Sequence, residues 1–189
     1  MKVNFGANPY LFPQPVLMVA TYGENDCVDV MVVAWGGICA HNMIALNVSN
    51  NRKTVANIRE RGAFTVSAAD VSHLKESDYF GTVSGNSVKD KFERSGLHAE
   101  KSGKVDAPVV IEYPVTLECK LVQMQETSSG YRIVGEIVNT LVDESVLDEQ
   151  GKVDVTKLGA VVYDHFNSGY YAIGQKVGQA WSIGKEYSL

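Results

Sequence analysis

The most regular pattern in the sequence is an alternation of apolar and polar residues along residues 115–121, with apolar residues at the odd positions. Such alternation is typical of a strand with one buried face. The apolar phase changes at Val122 and Met124, which predicts a β-bulge or a switch between sheets. Residues 127–130 then form a polar turn, and residues 131–141 read as the returning antiparallel strand.

Further strands are predicted where apolar stretches end at turn residues. They cover residues 16–22, 28–35, 38–49 and 63–68. Helical spacing over residues 70–80 predicts a helix, and the polar residues 100–107 predict a surface excursion. About six strands with short turns and few helices predict a mainly β protein with short helices, arranged as a closed or nearly closed antiparallel barrel. Composition and pattern alone do not separate that barrel from a sandwich.

A strand-to-helix turn between Asn47 and Gly62 has the most informative local chemistry. Thr54 is the predicted N-cap of a short helix, and Gly62 is the predicted left-handed residue after its last turn. Ser49, Arg52 and Lys53 stand just before this helix. A helix start presents unpaired N–H groups and attracts anions.

The residues around this helix start predict a phosphate site. Arg52 can hold a phosphate through two hydrogen bonds, and Ser49 and Thr54 add hydroxyl groups. The alternative interpretation is that Arg52 and Lys53 are solvated surface charges and that Thr54 is only a cap.

Composition limits the classes of protein that fit. A chain of 189 residues fits one domain, here residues 1–189, with a substantial core. A net charge of −5 argues against a nucleic-acid partner, which requires a basic face. No apolar stretch is long enough to span a membrane, and residues 1–8 lack a signal-peptide core. We therefore expect a soluble cytoplasmic protein.

The cysteines and histidines do not predict a metal site. Cys27, Cys39 and Cys119 make an odd number without a CxxC pair, which argues against a disulfide framework and a zinc site. Cys119 lies on the apolar face of its predicted strand and is expected to be buried. The four histidines show no ligand spacing.

Several short motifs follow one another in a fixed order. They are Ala34-Trp35-Gly36-Gly37, Ser-x-x-Arg-x-Thr-x-x-Asn-Ile from Ser49 to Ile58, Gly62 to Val66, Val83-Ser84-Gly85, Asp90-Lys91-Phe92, Gly96-Leu97, and the tail from Tyr171 to Lys185. In this order they resemble the flavin reductase-like, FMN-binding family that includes the flavoredoxins. The resemblance covers about Val16 to Lys185. One departure is Ala40-His41-Asn42, which stands where many relatives have proline.

The resemblance implies a Greek-key split β-barrel that binds FMN. Ser49, Arg52, Lys53 and Thr54 would then hold the phosphate. The flavin ring would lie against Ala34, Trp35 and Gly36 and against Asn47, Val48 and Ser49. Ser84 and Gly85 would contact the ribityl chain or the phosphate, and Lys91 would add charge nearby. The alternatives are core packing for Trp35 and an ordinary loop turn for Ser84-Gly85.

No nucleophile, acid pair or metal motif is evident, which is consistent with a cofactor that carries the chemistry. The resemblance implies an NAD(P)H-dependent flavin reductase-like oxidoreductase, with NADH or NADPH as electron donor and a flavin, a metal chelate or a protein as acceptor. Since no GxGxxG motif is present, a nicotinamide would stack directly on the flavin. The alternatives are a flavoredoxin-type electron-transfer protein without its own NAD(P)H oxidation and a non-catalytic ligand-binding barrel. A homodimer is expected as well.

Overall fold

A computed structural model describes residues 1–188 of the chain. Twelve strands and three α-helices are found in this part. The strands are Gln14–Pro15 (β1), Leu17–Tyr22 (β2), Val28–Val33 (β3), Gly36–Ala40 (β4), Met43–Val48 (β5), Ala63–Ala68 (β6), Ala99–Lys101 (β7), Pro108–Val110 (β8), Val115–Thr127 (β9), Gly130–Val142 (β10), Val161–Asp164 (β11) and Gly169–Ala172 (β12). The helices are Lys53–Arg61 (α1), Leu74–Thr82 (α2) and Val155–Leu158 (α3).

Seven strands form one antiparallel sheet in the order β3-β2-β6-β9-β10-β5-β4. Its two edge strands, β3 and β4, are consecutive in the chain and are separated only by Ala34 and Trp35. The main-chain oxygen of Trp35 accepts a hydrogen bond from the backbone N–H of Asn47, at 2.8 Å, on β5. The sheet therefore curls until its two edges meet beside Trp35. This arrangement confirms the predicted antiparallel split barrel.

The long ribbon of β9 and β10 contains the predicted bulge. Val134 pairs with Gln123, whereas the next residue, Gly135, pairs with Leu121. Val122 is therefore skipped and its side chain is exposed. A bulge bends the ribbon and increases its twist, so that β9 can pair with β6 while β10 pairs with β5.

Two hydrophobic cores lie on opposite faces of β2. Val19 points into the barrel, where it packs with residues such as Leu46 and Phe64. Met18 points outward, to a second core that includes Phe80 of α2. Because β2 is buried on both faces, it joins the barrel to the layer formed by α2 and the small sheet β1-β11-β12.

The structure corrects the predicted start of α1. Arg52, not Thr54, is the N-cap residue, and it makes no side-chain capping hydrogen bond. The Thr54 side chain points inward instead, with 1% of its surface exposed, and donates to Asp29. The other end of the helix agrees with the prediction, because Gly62 follows the last turn with a left-handed φ of 63°.

Two other predicted segments differ from the structure. The helix assigned to residues 70–80 begins only at Leu74, since the Asp70 carboxylate accepts the main-chain N–H of His73 and forms a turn before it. The segment 100–107 is a surface excursion only in part: residues 100, 101, 103 and 104 are exposed, but Val105 and Ala107 are buried. These two residues form a small hydrophobic cluster with Ala63, which the polar composition of the segment does not indicate. Within residues 1–188, none of the helices is both long and apolar enough to cross a bilayer.

Gly135 offers a test of packing at the bulge. A Cβ at this position would collide with the Phe64 ring, whereas a Cβ at Gly37 would meet no atom within 4 Å. Overpacking a core costs about 1–3 kcal/mol. We expect Gly135→Ala to lower the free energy of unfolding in urea by about this amount, and Gly37→Ala to change it far less. Equal stability of the two variants would contradict this packing.

Candidate cofactor site

The barrel opens into a cavity of about 490 Å³ where its edges meet. This ring cavity is lined by Val16, Met31, Val32, Val33, Ala34, Trp35, Asn47, Val48, Ser49, Arg52, Asp78, Gly81, Thr82, Tyr163, Ser168 and Tyr170. Five of the residues predicted to contact a flavin ring, Ala34, Trp35, Asn47, Val48 and Ser49, are brought together here. The cavity thus lies between the barrel on one side and α2 with β11 and β12 on the other.

The wall formed by the barrel is fixed by Asn47. Its side-chain amide donates to the main-chain oxygen of Trp35 at 3.1 Å, in addition to the backbone bond between the same residues. Trp35 is 47% exposed, and its ring meets the His165 ring edge to face at a centroid distance of 5.5 Å. Trp35 is therefore a wall of the cavity, and the core-packing interpretation is wrong.

Gly36 does not line this cavity. A Cβ there would approach the Ala45 main-chain oxygen to 2.9 Å and Leu46 Cδ2 to 2.8 Å. Glycine at this position therefore allows β4 to lie close against β5. The structure thus gives Gly36 a packing role, and its predicted contact with a flavin stays a prediction.

The opposite wall was not predicted from the sequence. The Tyr170 hydroxyl on β12 donates to Asp78 Oδ1 on α2 at 2.9 Å. Burial, together with the Asp78 carboxylate, raises the pKa of Tyr170 to about 12. Tyr170 therefore keeps its proton at neutral pH, and because that proton is donated to Asp78, the Tyr170 oxygen can only accept a further hydrogen bond. The sequence placed Asp78 on a helix but gave no signal that β12 returns to it.

A second, smaller cavity adjoins the first and shares Met31 and Arg52 with it. We call this the anion cradle. Its lining is Asp29, Met31, Arg52, Lys53, Thr54, Val83, Ser84, Gly85 and Lys91. All six predicted residues outside the ring wall, Arg52, Lys53, Thr54, Ser84, Gly85 and Lys91, are brought together at this place.

The start of α1 and the loop after α2 form two sides of the anion cradle. The Asn86 side chain donates to the Asn51 main-chain oxygen at 2.8 Å and fastens the loop to the turn before α1. Since Arg52 caps α1 without a side-chain hydrogen bond, no capping side chain occupies the first N–H groups of the helix. These groups favour an anion at this end of the helix.

Lys91 places a buried positive charge at the floor of the cradle. Only 3% of its surface is exposed, and Nζ lies 5.7 Å from the centre of the Phe80 ring. Burial lowers the pKa of Lys91, while Asp29 opposes that shift. No ion pair involves Lys91 within the part of the chain that the structure describes. A buried ammonium group without a contacting carboxylate is costly, and a bound anion would stabilise it.

The role predicted for Thr54 also needs correction. Its hydroxyl donates to Asp29 Oδ2 at 2.9 Å and is therefore occupied. Thr54 can offer an anion its main-chain N–H, but not its hydroxyl. The cradle holds only about 10 Å³ of free space, so a phosphate would sit at its mouth, beside the exposed Arg52.

Comparison with known proteins identifies the family to which this chain belongs. Residues 10–174 match the flavin reductase like domain, so the chain belongs to that family. Membership indicates a flavin cofactor.

Two solved structures extend the likeness over nearly the whole chain. The flavoredoxin of Desulfovibrio vulgaris (Miyazaki F) is 36% identical, with a TM-score of 0.92, and the alignment covers 98% of this chain and 100% of that one. The flavoredoxin from Methanosarcina acetivorans is 26% identical, with a TM-score of 0.89 and 99% of each chain covered. An uncharacterized protein of Aquifex aeolicus is 25% identical over 152 residues, which cover 77% of each chain.

The two cavities fit a flavin nucleotide by their chemistry. The ring cavity has apolar walls from residues such as Val33 and Val48 and suits a flat aromatic ring. The cradle gathers Arg52, Lys53 and the unpaired Lys91 and suits a phosphate. Arg52 lines both cavities, so the two are adjacent. A ligand with one apolar end and one anionic end needs two such adjacent sites.

The titration of Lys91 generates a prediction about the ligand-free protein. Because burial lowers its pKa, the unfolded chain holds this proton to higher pH than the folded chain does. Stability rises with pH wherever the unfolded state binds more protons. We expect the free energy of unfolding of the wild type, relative to Lys91→Met, to rise as pH increases from the folded pKa toward about 10.4.

Urea unfolding between neutral pH and about pH 10.5 measures this difference. Lys120→Met is the matched control, because it makes the same replacement at an exposed lysine. A flat difference for Lys91→Met would show that Lys91 is not desolvated.

Proposed function

We propose that the protein binds FMN and acts as an NAD(P)H-dependent flavin reductase-like oxidoreductase, with a flavin, a metal chelate or a protein as acceptor. The observation that supports this proposal is the continuity of the ring cavity with the anion cradle through Met31 and Arg52. A barrel that bound only an uncharged ligand would have no use for three cationic side chains at one end of its cavity.

Each end of the site has a distinct task in this proposal. Arg52, Lys53 and Lys91 would hold the phosphate together with the first N–H groups of α1 and with Ser84. Trp35 and the backbone of residues 47–49 would bound the ring. A bound flavin supplies hydride and electron transfer, which the side chains of this chain cannot perform alone. The protein binds and orients the ring, and the Tyr170 oxygen, whose proton is donated to Asp78, can accept a hydrogen bond beside it.

A second candidate function is electron transfer without oxidation of a nicotinamide. The 36% identity to a flavoredoxin, over the full length of that chain, favours this alternative. Both functions use the same FMN site, and they differ in whether a nicotinamide reaches the ring.

Anaerobic mixing separates the two functions. As a reductase, the FMN-loaded protein should lose its visible absorbance with NADH or NADPH within the time of a catalytic cycle, typically about 0.1 s at a median turnover of about 10 per second. Dithionite serves as the positive control for reduction. If dithionite bleaches the protein and neither nicotinamide does so over minutes, the reductase proposal is wrong, and the result favours the electron-transfer function.

The phosphate end of the site is tested by Arg52→Ala. Hydrogen bonds to charged groups contribute about 1.5–3 kcal/mol, so we expect FMN to bind roughly tenfold to a hundredfold more weakly, with little change for riboflavin. Fluorescence titration with both ligands measures the two affinities. Arg132, an exposed arginine of β10 outside both cavities, is the matched control. Equal losses for FMN and riboflavin would remove Arg52 from the phosphate site.

We also propose a homodimer. Beyond Ala172 the chain exposes large apolar side chains: Val177 is 96% exposed, Trp181 94% and Tyr187 87%. Aromatic side chains are enriched at interface cores, so this tail would lie on a partner subunit. Sedimentation at micromolar concentration should give the mass of a dimer, and Trp181→Ser should weaken it. A wild-type monomer with FMN bound would contradict the proposal.

A further inference from the structure

Asp29 is a buried carboxylate that the sequence pattern does not explain. It interrupts the apolar strand β3 and is only 3% exposed. Its Oδ2 accepts the Thr54 hydroxyl at the start of α1. Its Oδ1 faces Gly85 so closely that a Cβ there would collide with it. Two elements of the anion cradle are therefore shaped around this one carboxylate.

Asp29 lies in the same cradle as three cationic side chains but forms an ion pair with none of them. Six ion pairs are found among the side chains that the structure describes, and none of the six involves Asp29 or Lys91. Arg52, Lys53 and Lys91 line the same cradle as Asp29. Three positive groups and one negative group leave a net charge of +2, since 3 − 1 = 2. A phosphate monoester carries about −1.5 to −2 at neutral pH.

We propose that Asp29 is the internal counter-charge of the anion cradle, a positioning residue that stabilises the ligand-free site and weakens its hold on a phosphate monoester. The inference rests on the proposed function and deepens it, because it concerns how readily FMN leaves. Without phosphate, Asp29 offsets the repulsion among the three cations and interacts favourably with the start of α1. With phosphate bound at the mouth of the cradle, the same carboxylate would lie near a second anion, and like charges repel.

The position of Asp29 makes it suited to this role. Its hydrogen bond to Thr54 fixes it behind the first turn of α1, where it cannot turn away from an incoming anion. Gly85 has no Cβ, so the Asp29 carboxylate can pack directly against the loop after α2. Asp29 therefore lies between the two sides of the cradle. Lys91 depends on it as well, since Asp29 acts against the burial that lowers the pKa of Lys91.

The test is Asp29→Asn, which removes the charge and keeps an oxygen that accepts from Thr54. The ratio of FMN affinity to riboflavin affinity should rise on the order of tenfold at pH 7 and low salt, as expected for a charge a few ångströms from the phosphate. FMN should also dissociate more slowly. The ligand-free variant should unfold at a lower temperature than the wild type, because its three cations lose their counter-charge.

Glu118→Gln is the matched control. Glu118 is as buried as Asp29 but lies on β9, outside both cavities, where it accepts from Ser102 and Asn139. Its replacement should affect stability and leave the ratio of affinities unchanged. If Asp29→Asn does not fold, the ratio is compared between Lys91→Gln and the double variant Asp29→Asn/Lys91→Gln. The double variant should prefer FMN about tenfold more than Lys91→Gln does.

The outcomes separate this inference from the function on which it rests. A wild type that prefers FMN, with an Asp29→Asn variant whose preference is unchanged or smaller, overturns the role of Asp29 alone. A wild type that binds FMN and riboflavin equally well overturns the phosphate site and the proposed function with it. A rise in the ratio for Asp29→Asn that is absent in Glu118→Gln, and that becomes smaller in high salt, supports the inference, because salt partly screens an electrostatic effect.

Discussion

The closure of the barrel at Trp35 is the constraint on which the site depends. Two hydrogen bonds from Asn47 to one main-chain oxygen hold the link between β3 and β4 against β5. Trp35 and residues 47–49 close the sheet, and they also form one side of the ring cavity. The same bonds therefore fix the backbone of the cavity wall. A flat ligand there would meet backbone that the fold itself keeps in place, which is how precise sites are built.

The same closure sets the position of the anion cradle. β5 ends at Val48, and after a short turn α1 begins at Lys53, so that the start of the helix points back toward the cavity mouth. Arg52 occupies the turn and contacts both cavities. The distance between the ring end and the anionic end of the site is therefore determined by one turn of the chain, and the loop at Ser84 completes it through the bond between Asn86 and Asn51.

The sequence predicted the barrel wall better than the wall opposite. Local alternation and turn residues located nearly every strand of the large sheet and the bulge at Val122, because these features depend on neighbours in the chain. The contact of Tyr170 with Asp78 joins residues far apart in sequence. No local pattern encodes it. The prediction was less accurate where polar residues are buried. Thr54 was predicted to be a helix cap, but its hydroxyl donates to Asp29. Residues 100–107 were predicted to lie on the surface, but they include the buried Val105 and Ala107.

Most residues of the cradle could be predicted from the sequence, but the energetic cost of burying their charges could not. An isolated buried lysine or aspartate destabilises a fold, and apolar residues of similar size would serve stability better. The chain nevertheless builds specific support for these charges, with the Thr54 hydroxyl on Asp29 and a glycine where any Cβ would collide. Support of this kind is expected where a site must hold a charge in place before its ligand arrives. The charge held in this way is that of Asp29, so under the role inferred for it part of what a bound anion would gain from the three cations is offset by the carboxylate.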